Sequence, residues 1–522
     1  MGNGFHDLTA MLAIKATRPQ TGEASLPAYW ESYLPSKIAA IKALQDAGGK
    51  DAFSFVVMSD IHYPTNLGKR SPAIAKRVMD ECDIRYALVL GDLQNSGVHS
   101  TYDATREEWD AIHTMFAPLM KNALFQRGNH DGSWGAALSD GTTYPYNFRP
   151  EELYALIHAK TYANHNAVTD ESGTGYYVDD ASRKVRYVML NTHCNEYAEN
   201  ADGSAVYNNM SHARYTQSQY DLLVEALKTL KGGWSVLVAS HVPPNGAYND
   251  AFGGDGTTGD NVIMQGLLRA FKNKTAYKGS WSGTAGGGGG YTNLFSASGS
   301  GFKQESDTKF LTNWLPYNPN DNGGKGTIYH FKGLLHNSSY SNPYKFHFAE
   351  DENGTYYDGS SGTSLAYCTN GNQKANVTAD YDGSVILFQH LYNTEPLPYI
   401  QFEIREALPE NLIITANEEI IGDGSSEGGY DAVSVDVDFS DAKGELIGYF
   451  SGHMHKDYVY AAADYFGFNI VTTACDTDLN TSVTKTAGTV TEQSFDVFTV
   501  NRKTRTVYAT KIGAGEDRVI QY

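Results

Sequence analysis

The stretch FSFVVMSDIH, residues 53–62, joins an apolar run to two side chains that can bind a metal ion. Its first seven residues are rich in Phe and Val, which is typical of a buried β-strand. Asp60 and His62 follow directly. Because functional side chains of α/β proteins lie on the loops after strands, we expect an α/β core that presents Asp60 and His62 at a strand end.

The same arrangement recurs along the chain. Strand-like runs end in YALVLGD (86–92), ALFQRGNHD (123–131), WSVLVASH (234–241) and YFSGHMHKD (449–457). Helical patterns such as REEWDAIHTMFAPLM (106–120) separate them. These runs predict strands whose ends meet at one edge of a sheet, and the side chains found there are Asp92, Asn129, His130, His241, His453 and His455.

Asp and Asn oxygens mixed with imidazoles, and no thiolate, suit Mn, Fe, Zn or Co better than Cu(I). Seven of these eight side chains are candidate ligands, with His130 set aside, and seven exceed the needs of one tetrahedral ion. They favour two divalent or trivalent ions about 3.5–4 Å apart that share a carboxylate. On an extended segment, His453 and His455 would point to the same side, so each could serve one ion.

Composition limits the partners and the location of the protein. The chain has 522 residues and a formal net charge of −20, which disfavours nucleic acid as a partner. Its cysteines lack CxxC spacing, so we expect no cysteine metal site and no disulfide framework. No signal peptide and no membrane span are predicted, which leaves a soluble protein of the cytoplasm or of a virion or cell surface. The oligomeric state is not predicted.

Composition also divides the chain. Residues 1–50 read as a polar lead followed by an amphipathic helix, and residues 51–278 and 431–522 read as the two halves of a discontinuous domain. Residues 279–430 are rich in Gly, Asn, Ser, Thr and Tyr with short β-like runs, which predicts a mostly β inserted subdomain. Long, partly ordered loops are the alternative for this insertion.

Taken in order, the blocks DxH, GDxx(D/N), GNH(D/E), H and GHxH resemble those of the calcineurin-like metallophosphoesterase family, over roughly residues 53–241 and 433–522. The resemblance implies a two-sheet β-sandwich flanked by helices, an αββα core, here with a β-rich insertion. It implies one ion on Asp60, His62, Asp92 and His455. A second ion would lie on Asp92, Asn129, His241 and His453, with Asp92 bridging.

The resemblance also implies the chemistry. A metal-bridging hydroxide would attack phosphorus while both cations neutralise the phosphoryl oxygens. His130 would stabilise the transition state or protonate the leaving oxygen. Asn95 stands where some members of the family have an Asp that orients this histidine, and an amide orients without adding charge. His193, after another strand-like run, reads as an ordinary strand-end residue.

The substrate is the least determined part. GDLQNSGVH (91–99) lacks the Arg found there in the family's Ser/Thr protein phosphatases, which disfavours that branch. A mono- or diesterase remains, with the diester slightly favoured. The aromatic, weakly charged insertion suits sugars, so we expect a phosphorylated glycan, a teichoic-acid-like cell-envelope polymer or a glycerophosphodiester. The alternatives are a phage-tail or cell-surface glycan-binding module with a largely structural metal site and, more weakly, a nuclease.

Overall fold

The computed structural model describes residues 26–64, 67–95, 102–132, 148–194, 213–244, 261–281, 433–462, 467–477, 479 and 483–522, and the backbone of nine strands between 291 and 420. The predicted polar lead, residues 1–25, lies outside the described residues. No helix among those described is both long enough and apolar enough to cross a membrane.

The elements alternate as the sequence predicts. The helices of the core are α1 (Ala28–Gly48), α2 (Ser71–Glu81), α3 (Tyr102–Phe116), α4 (Pro150–Leu153), α5 (Ala159–Asn164), α6 (Gln217–Lys228) and α7 (Asn261–Asn273). Its strands are β1 (Ala52–Met58), β2 (Ala87–Val89), β3 (Ala123–Phe125), β4 (Val168–Thr169), β5 (Tyr176–Asp180), β6 (Val185–Met189), β7 (Ser235–Ser240), β8 (Ala276–Trp281), β18 (Val433–Asp438), β19 (Glu445–Ser451), β20 (Tyr458–Tyr460), β21 (Ile470–Thr472), β22 (Ser494–Asn501), β23 (Thr506–Gly513) and β24 (Arg518–Gln521).

Two mixed sheets form the core. Sheet 1 has six strands in the order β24-β23-β22-β1-β2-β3, and sheet 2 has seven in the order β20-β21-β19-β7-β6-β5-β4. Strands β1, β2 and β3 are parallel, as are β6, β7, β19 and β21. The carboxyl ends of each parallel set therefore lie at one edge of its sheet.

The burial pattern of β1 shows why the two sheets pack together. Phe53, Phe55 and Val57 point into the layer between the sheets, where Phe55 meets Phe450 edge-on at 5.2 Å. Val56 and Met58 point to the opposite face, which α1, α2 and α3 cover. Because both faces are buried, the strand is apolar throughout.

Helices α6 and α7 cover the outer face of sheet 2 together with β8 and β18. Helices therefore flank both sheets, and the predicted α/β sandwich of the αββα type is confirmed.

The structure also describes the backbone of nine strands between residues 291 and 420, within the predicted insertion. They are β9 (Tyr291–Ser298), β10 (Lys303–Ser306), β11 (Lys309–Thr312), β12 (Thr327–Phe331), β13 (Tyr344–Ala349), β14 (Tyr367–Cys368), β15 (Ile386–Gln389), β16 (Tyr399–Ile404) and β17 (Ile413–Ile420). They form a four-stranded and a five-stranded antiparallel sheet. The exact domain boundaries, at residues 50, 278 and 430, stay predictions.

The chain leaves and re-enters the core through an antiparallel pair. Strand β8 pairs with β18 from Ala276 opposite Asp438 to Trp281 opposite Val433. Gln217, at the start of α6, exchanges two hydrogen bonds with the backbone of Ser434, at 2.7 and 3.0 Å. Helix α6 follows the carboxyl end of β6 and leads to the amino end of β7. The Trp281–Val433 end of the pair therefore lies towards the carboxyl edge of sheet 2.

Candidate metal centre

The loops after the strands adopt an unusual backbone conformation. Positive φ values of 59°, 49°, 51°, 64° and 51° occur at Asp60, His62, Asp92, His453 and His455. Such values are uncommon for residues other than glycine, and strained backbone of this kind clusters at functional sites. Five of the side chains that the sequence singles out therefore stand on strained loops.

Backbone hydrogen bonds hold these loops against one another. The Asp60 amide donates to Gly91 O at 3.0 Å, and the Gly452 amide donates to His241 O at 3.1 Å. The His453 amide donates to the Asp60 carboxylate at 3.0 Å. A Cβ at Gly452 would lie 2.6 Å from Asp60 Oδ2, so glycine is required for this approach.

One group of four buried side chains gathers beneath these loops. Asp60, His62, Asp92 and His455 each offer a donor atom, and the four atoms lie within 4.8 Å of one another. His455 Nε2 is 3.1 Å from both Asp60 Oδ1 and His62 Nε2. His62 Nε2 is 3.8 Å from Asp92 Oδ2. These four residues are the set that the family resemblance assigns to one ion.

A second group shares Asp92 with the first. Donor atoms of Asp92, His241 and His453 also lie within 4.8 Å of one another. His241 Nε2 lies 3.2 Å from Asp92 Oδ2 and 2.8 Å from Asn129 Oδ1. His453 Nδ1 lies 3.1 Å from the same Asn129 oxygen. All seven side chains that the sequence predicts as ligands are thus brought together, with Asp92 between the two groups.

The hydrogen bonds of two histidines show that the donor set fits cations. His241 Nδ1 is 2.8 Å from Leu90 O, and His455 Nδ1 is 2.7 Å from Leu479 O. A carbonyl oxygen can only accept, so Nδ1 carries a proton in each ring, and Nε2 presents a lone pair to a metal ion when it is not itself protonated. These lone pairs face the oxygens of Asp92, Asn129 and Asp60. Lone pairs that converge in a buried space are stabilised by a metal ion between them.

Without an ion, protons must balance the buried carboxylates. Burial lowers the pKa of His241, but the carboxylates of Asp92 and Asp60 outweigh burial and raise that pKa to about 9. Burial instead prevails at His62 and His453 and lowers the pKa of each to about 3. Burial opposes ionisation of Asp92, yet the surrounding histidines hold its pKa well below the usual value. Asp92 therefore stays ionised and is balanced by the proton on His241, which a bound cation would replace.

His130 lies beside the two groups and keeps some contact with solvent. Its ring packs edge-on against His62 with centroids 4.7 Å apart, and its Nε2 is 4.0 Å from Asp92 Oδ2. Its side chain is 17% exposed, whereas that of Asp92 is 1% exposed. Asn95 donates its backbone N–H to Tyr63 O at 2.8 Å, and its orienting action on His130 stays a prediction.

The structure adds two residues that the sequence did not single out. The carboxylate of Asp131 accepts hydrogen bonds from the amides of Asp92, Leu93, Gln94 and Gly128, at 2.7 to 3.1 Å, and so ties two ligand loops together. Asp131 is the last residue of the GNHD motif. No local sequence pattern indicates that its carboxylate is buried and accepts hydrogen bonds from backbone amides.

Cys475 is the second addition. Its sulfur lies within 4.8 Å of donor atoms of His62 and His455, and its thiol donates to Asp60 O at 2.9 Å. Nothing in the spacing of the cysteines predicts this position. His193, read from the sequence as a strand-end residue, is buried, and its ring centroid lies 5.8 Å from that of His241.

Comparison with known proteins assigns the domain. The family model of calcineurin-like phosphoesterases matches residues 53–272, which include Asp60, Asp92, Asn129 and His241. The match ends before His453 and His455, but the fold places both histidines beside Asp60, Asp92 and His241. No curated protein matches the chain.

Among solved structures, the chain is similar to a dimetal phosphatase from Danio rerio, whose crystal structure is known. The two sequences are 12% identical, the TM-score is 0.34, and the alignment covers 90% of this chain and 99% of the other. So low a TM-score adds nothing to the assignment. The match shows that residues 53–272 form a calcineurin-like phosphoesterase domain, and it supports a general metal-dependent phosphoesterase activity.

Proposed function

We propose that the protein hydrolyses phosphate mono- or diesters, with diesters favoured, at two metal ions. Asp60, His62, Asp92 and His455 would hold one ion, and Asp92, Asn129, His241 and His453 the other. The observation that carries this proposal is the position of Asp92, whose carboxylate belongs to both groups of donor atoms. The oxygen and imidazole donors favour Mn, Fe, Zn or Co.

The reaction would need little from the protein beyond placement and proton transfer. When bound, two such cations neutralise the phosphoryl oxygens and make a water molecule acidic enough to attack phosphorus at neutral pH. The backbone N–H of His130 donates to Asp92 Oδ1 at 2.8 Å, which fixes the bridging carboxylate. Asp131 holds the loops of Asp92 and Gly128 in register through their amides.

His130 is the candidate proton donor to the leaving oxygen. Burial lowers its pKa, and the nearby Asp92 carboxylate opposes that effect. A negatively charged phosphate bound beside the ring would favour the protonated form further. Even the neutral ring has one N–H to donate, so His130 can stabilise charge on the leaving oxygen in either state.

Replacing His130 by alanine tests this function. We expect kcat on bis(p-nitrophenyl) phosphate with added Mn²⁺ to fall by about 10²- to 10⁴-fold, since general acid–base groups contribute on this scale. Two equivalents of metal should remain bound, which elemental analysis measures. His113→Ala is the matched control, because that ring lies in the helical layer and bonds to Leu156 O.

The alternative of a glycan-binding module predicts a different result. Such a protein would show no turnover of either p-nitrophenyl ester in the native sequence, so His130→Ala would have nothing to reduce. A wild-type protein that binds metal but lacks turnover would overturn the phosphoesterase proposal.

For the substrate we propose a phosphorylated glycan, a teichoic-acid-like polymer or a glycerophosphodiester. The composition of residues 279–430 supports it, because Tyr and Trp stack on sugars while Asn and Gly offer hydrogen bonds at low charge. The direction of the β8–β18 pair supports it too. Its open end, Trp281 opposite Val433, lies towards the edge of sheet 2 where His241 and His453 stand.

Replacing residues 282–432 with a short Gly-Asn turn tests the proposed substrate class. The replacement keeps both strands of the β8–β18 pair. We expect kcat/KM on the polymer to fall by about tenfold or more, since binding energy remote from the phosphate is lost. Turnover of bis(p-nitrophenyl) phosphate should persist, and circular dichroism should confirm folding. Equal losses on both substrates, or equal retention on both, would contradict the glycan proposal.

A further inference from the structure

A cluster of buried charges lies between the two sheets, close to the loop that carries His453 and His455. It consists of Asp457, Asp496, Lys511 and Arg518, whose side chains are 12%, 0%, 1% and 14% exposed. Asp457 follows His455 by two residues in the loop between β19 and β20 of sheet 2. The other three stand on β22, β23 and β24 of sheet 1.

The strand pattern shows that these charges replace core residues. On β23, Val507 and Ala509 point into the layer between the sheets, so Lys511 points there too. On β22, Phe498 and Val500 point inward, and Asp496 shares their face. The apolar layer therefore ends in a charged layer next to the metal centre.

The contacts link the histidine loop to sheet 1. Lys511 Nζ donates to Asp457 Oδ1 at 2.7 Å and to Asp496 Oδ2 at 2.8 Å. Arg518 donates to Asp496 Oδ2 at 2.8 Å and to the backbone oxygen of Thr472 at 2.9 Å. Lys511 thus connects a carboxylate of the loop with a carboxylate of the opposite sheet.

Asp457 also fixes the segment that supports Asp60. Its Oδ1 accepts the backbone N–H of Ala474 at 2.9 Å. The next two residues contact the first ligand loop, because the Cys475 thiol donates to Asp60 O and the Asp476 amide donates to Ser59 O at 3.2 Å. Asp457 therefore joins the loop of His455 to the support of Asp60, and both residues belong to the first donor group.

Stability alone does not account for such a cluster. Burying ion pairs requires desolvation, and apolar residues of similar volume are often as stabilising or more so. A role in orientation does account for it, because groups that orient metal ligands affect metal affinity strongly.

We infer that Lys511 and Asp457 are positioning residues that set His455 for the ion shared with Asp60, His62 and Asp92. The inference rests on the metal centre proposed above. His453 has its own anchor in the bond from its amide to the Asp60 carboxylate, and it lies four residues from Asp457. Loss of the Lys511–Asp457 contact should therefore weaken one ion more than the other.

The test is a two-site titration of the metal-free full-length protein with Mn²⁺ alone. In Lys511→Met we expect one of two Mn²⁺ affinities to fall by about 10- to 100-fold, with the other nearly unchanged. Lys511→Arg keeps the cation and should restore most of the loss. Lys76→Met is the control, because it removes an exposed pair with Asp80 on α2.

If Lys511→Met does not fold, the double variant Asp457→Asn/Lys511→Met is tested in its place. The double variant removes one charge of each sign, so the net charge of the cluster is unchanged. A folded variant with one selectively weakened Mn²⁺ site supports the inference. Unchanged affinities, or equal weakening of both sites, overturns it. A wild-type protein that binds fewer than two Mn²⁺ ions would instead contradict the proposed metal centre.

Discussion

Asp92→Asn is expected to lower kcat/KM for phosphate esters by at least about 10³-fold, a loss of roughly 4 kcal/mol in transition-state stabilisation. Asp92 Oδ2 lies 3.8 Å from His62 Nε2 and 3.2 Å from His241 Nε2, so one side chain serves both donor groups. An amide at this position has one oxygen and no charge, and it cannot bridge two cations as a carboxylate does.

Steady-state kinetics together with metal analysis measure this effect. The variant should retain fewer than two equivalents of metal, and its activity should recover only partly at high Mn²⁺. Asp110→Asn, an exposed aspartate on α3, is the control and should leave both quantities unchanged. An Asp92→Asn protein with activity within tenfold of wild type would rule out a bridging carboxylate.

Removal of metal by a chelator is the second large expected effect. Activity should vanish and return when Mn²⁺ is added back. Stability should fall as well, because a ligand present at 100 times its dissociation constant stabilises the folded state by about 2.7 kcal/mol per site. Thermal unfolding of metal-free and metal-loaded protein measures the difference. An unaltered midpoint after complete metal removal would argue against a preformed dinuclear centre.

The metal-free protein should also acquire a pH dependence. Asp92 and Asp60 overcome the effect of burial and raise the pKa of His241 to about 9, and Asp60 acts similarly to raise the pKa of His455. A histidine has a pKa of about 6.5 when unfolded. Its raised pKa stabilises the fold fully below pH 6.5, and this stabilisation is lost as pH rises to about 9.

Metal ions should replace these protons and largely remove the dependence. We therefore expect the unfolding midpoint of the metal-free protein to drop between pH 6.5 and 9, while that of the loaded protein changes little. A midpoint that rises with pH over this window in the metal-free protein would contradict the proposed charge balance.

Much of this site is readable from local sequence because each predicted ligand follows an apolar run. The run that contains β1 predicts both the strand and the position of Asp60 at its end. The bounds of the strands are less predictable. In YALVLGD only Ala87–Val89 forms a strand, because the residues that follow turn towards the metal centre. The local pattern gives the element, whereas the surrounding loops decide where it stops.

Other features depend on distant partners and leave no local pattern. Nothing near β1 indicates that β22 will pair with it, yet Phe53 lies opposite Val500. Lys511 and Asp496 look like ordinary polar residues of exposed strands until the opposite sheet covers them. Cys475 reaches the site for the same reason, through the segment that Asp457 holds.

The order of strands in sheet 1 has a consequence for biosynthesis. β1 is bordered on one side by β22, which is synthesised more than 400 residues later in the chain. A ribosome-bound chain that has emerged only as far as His241 lacks His453, His455 and β22. Neither donor group can then be complete, so the nascent protein should acquire its ions only after His453 and His455 have been synthesised.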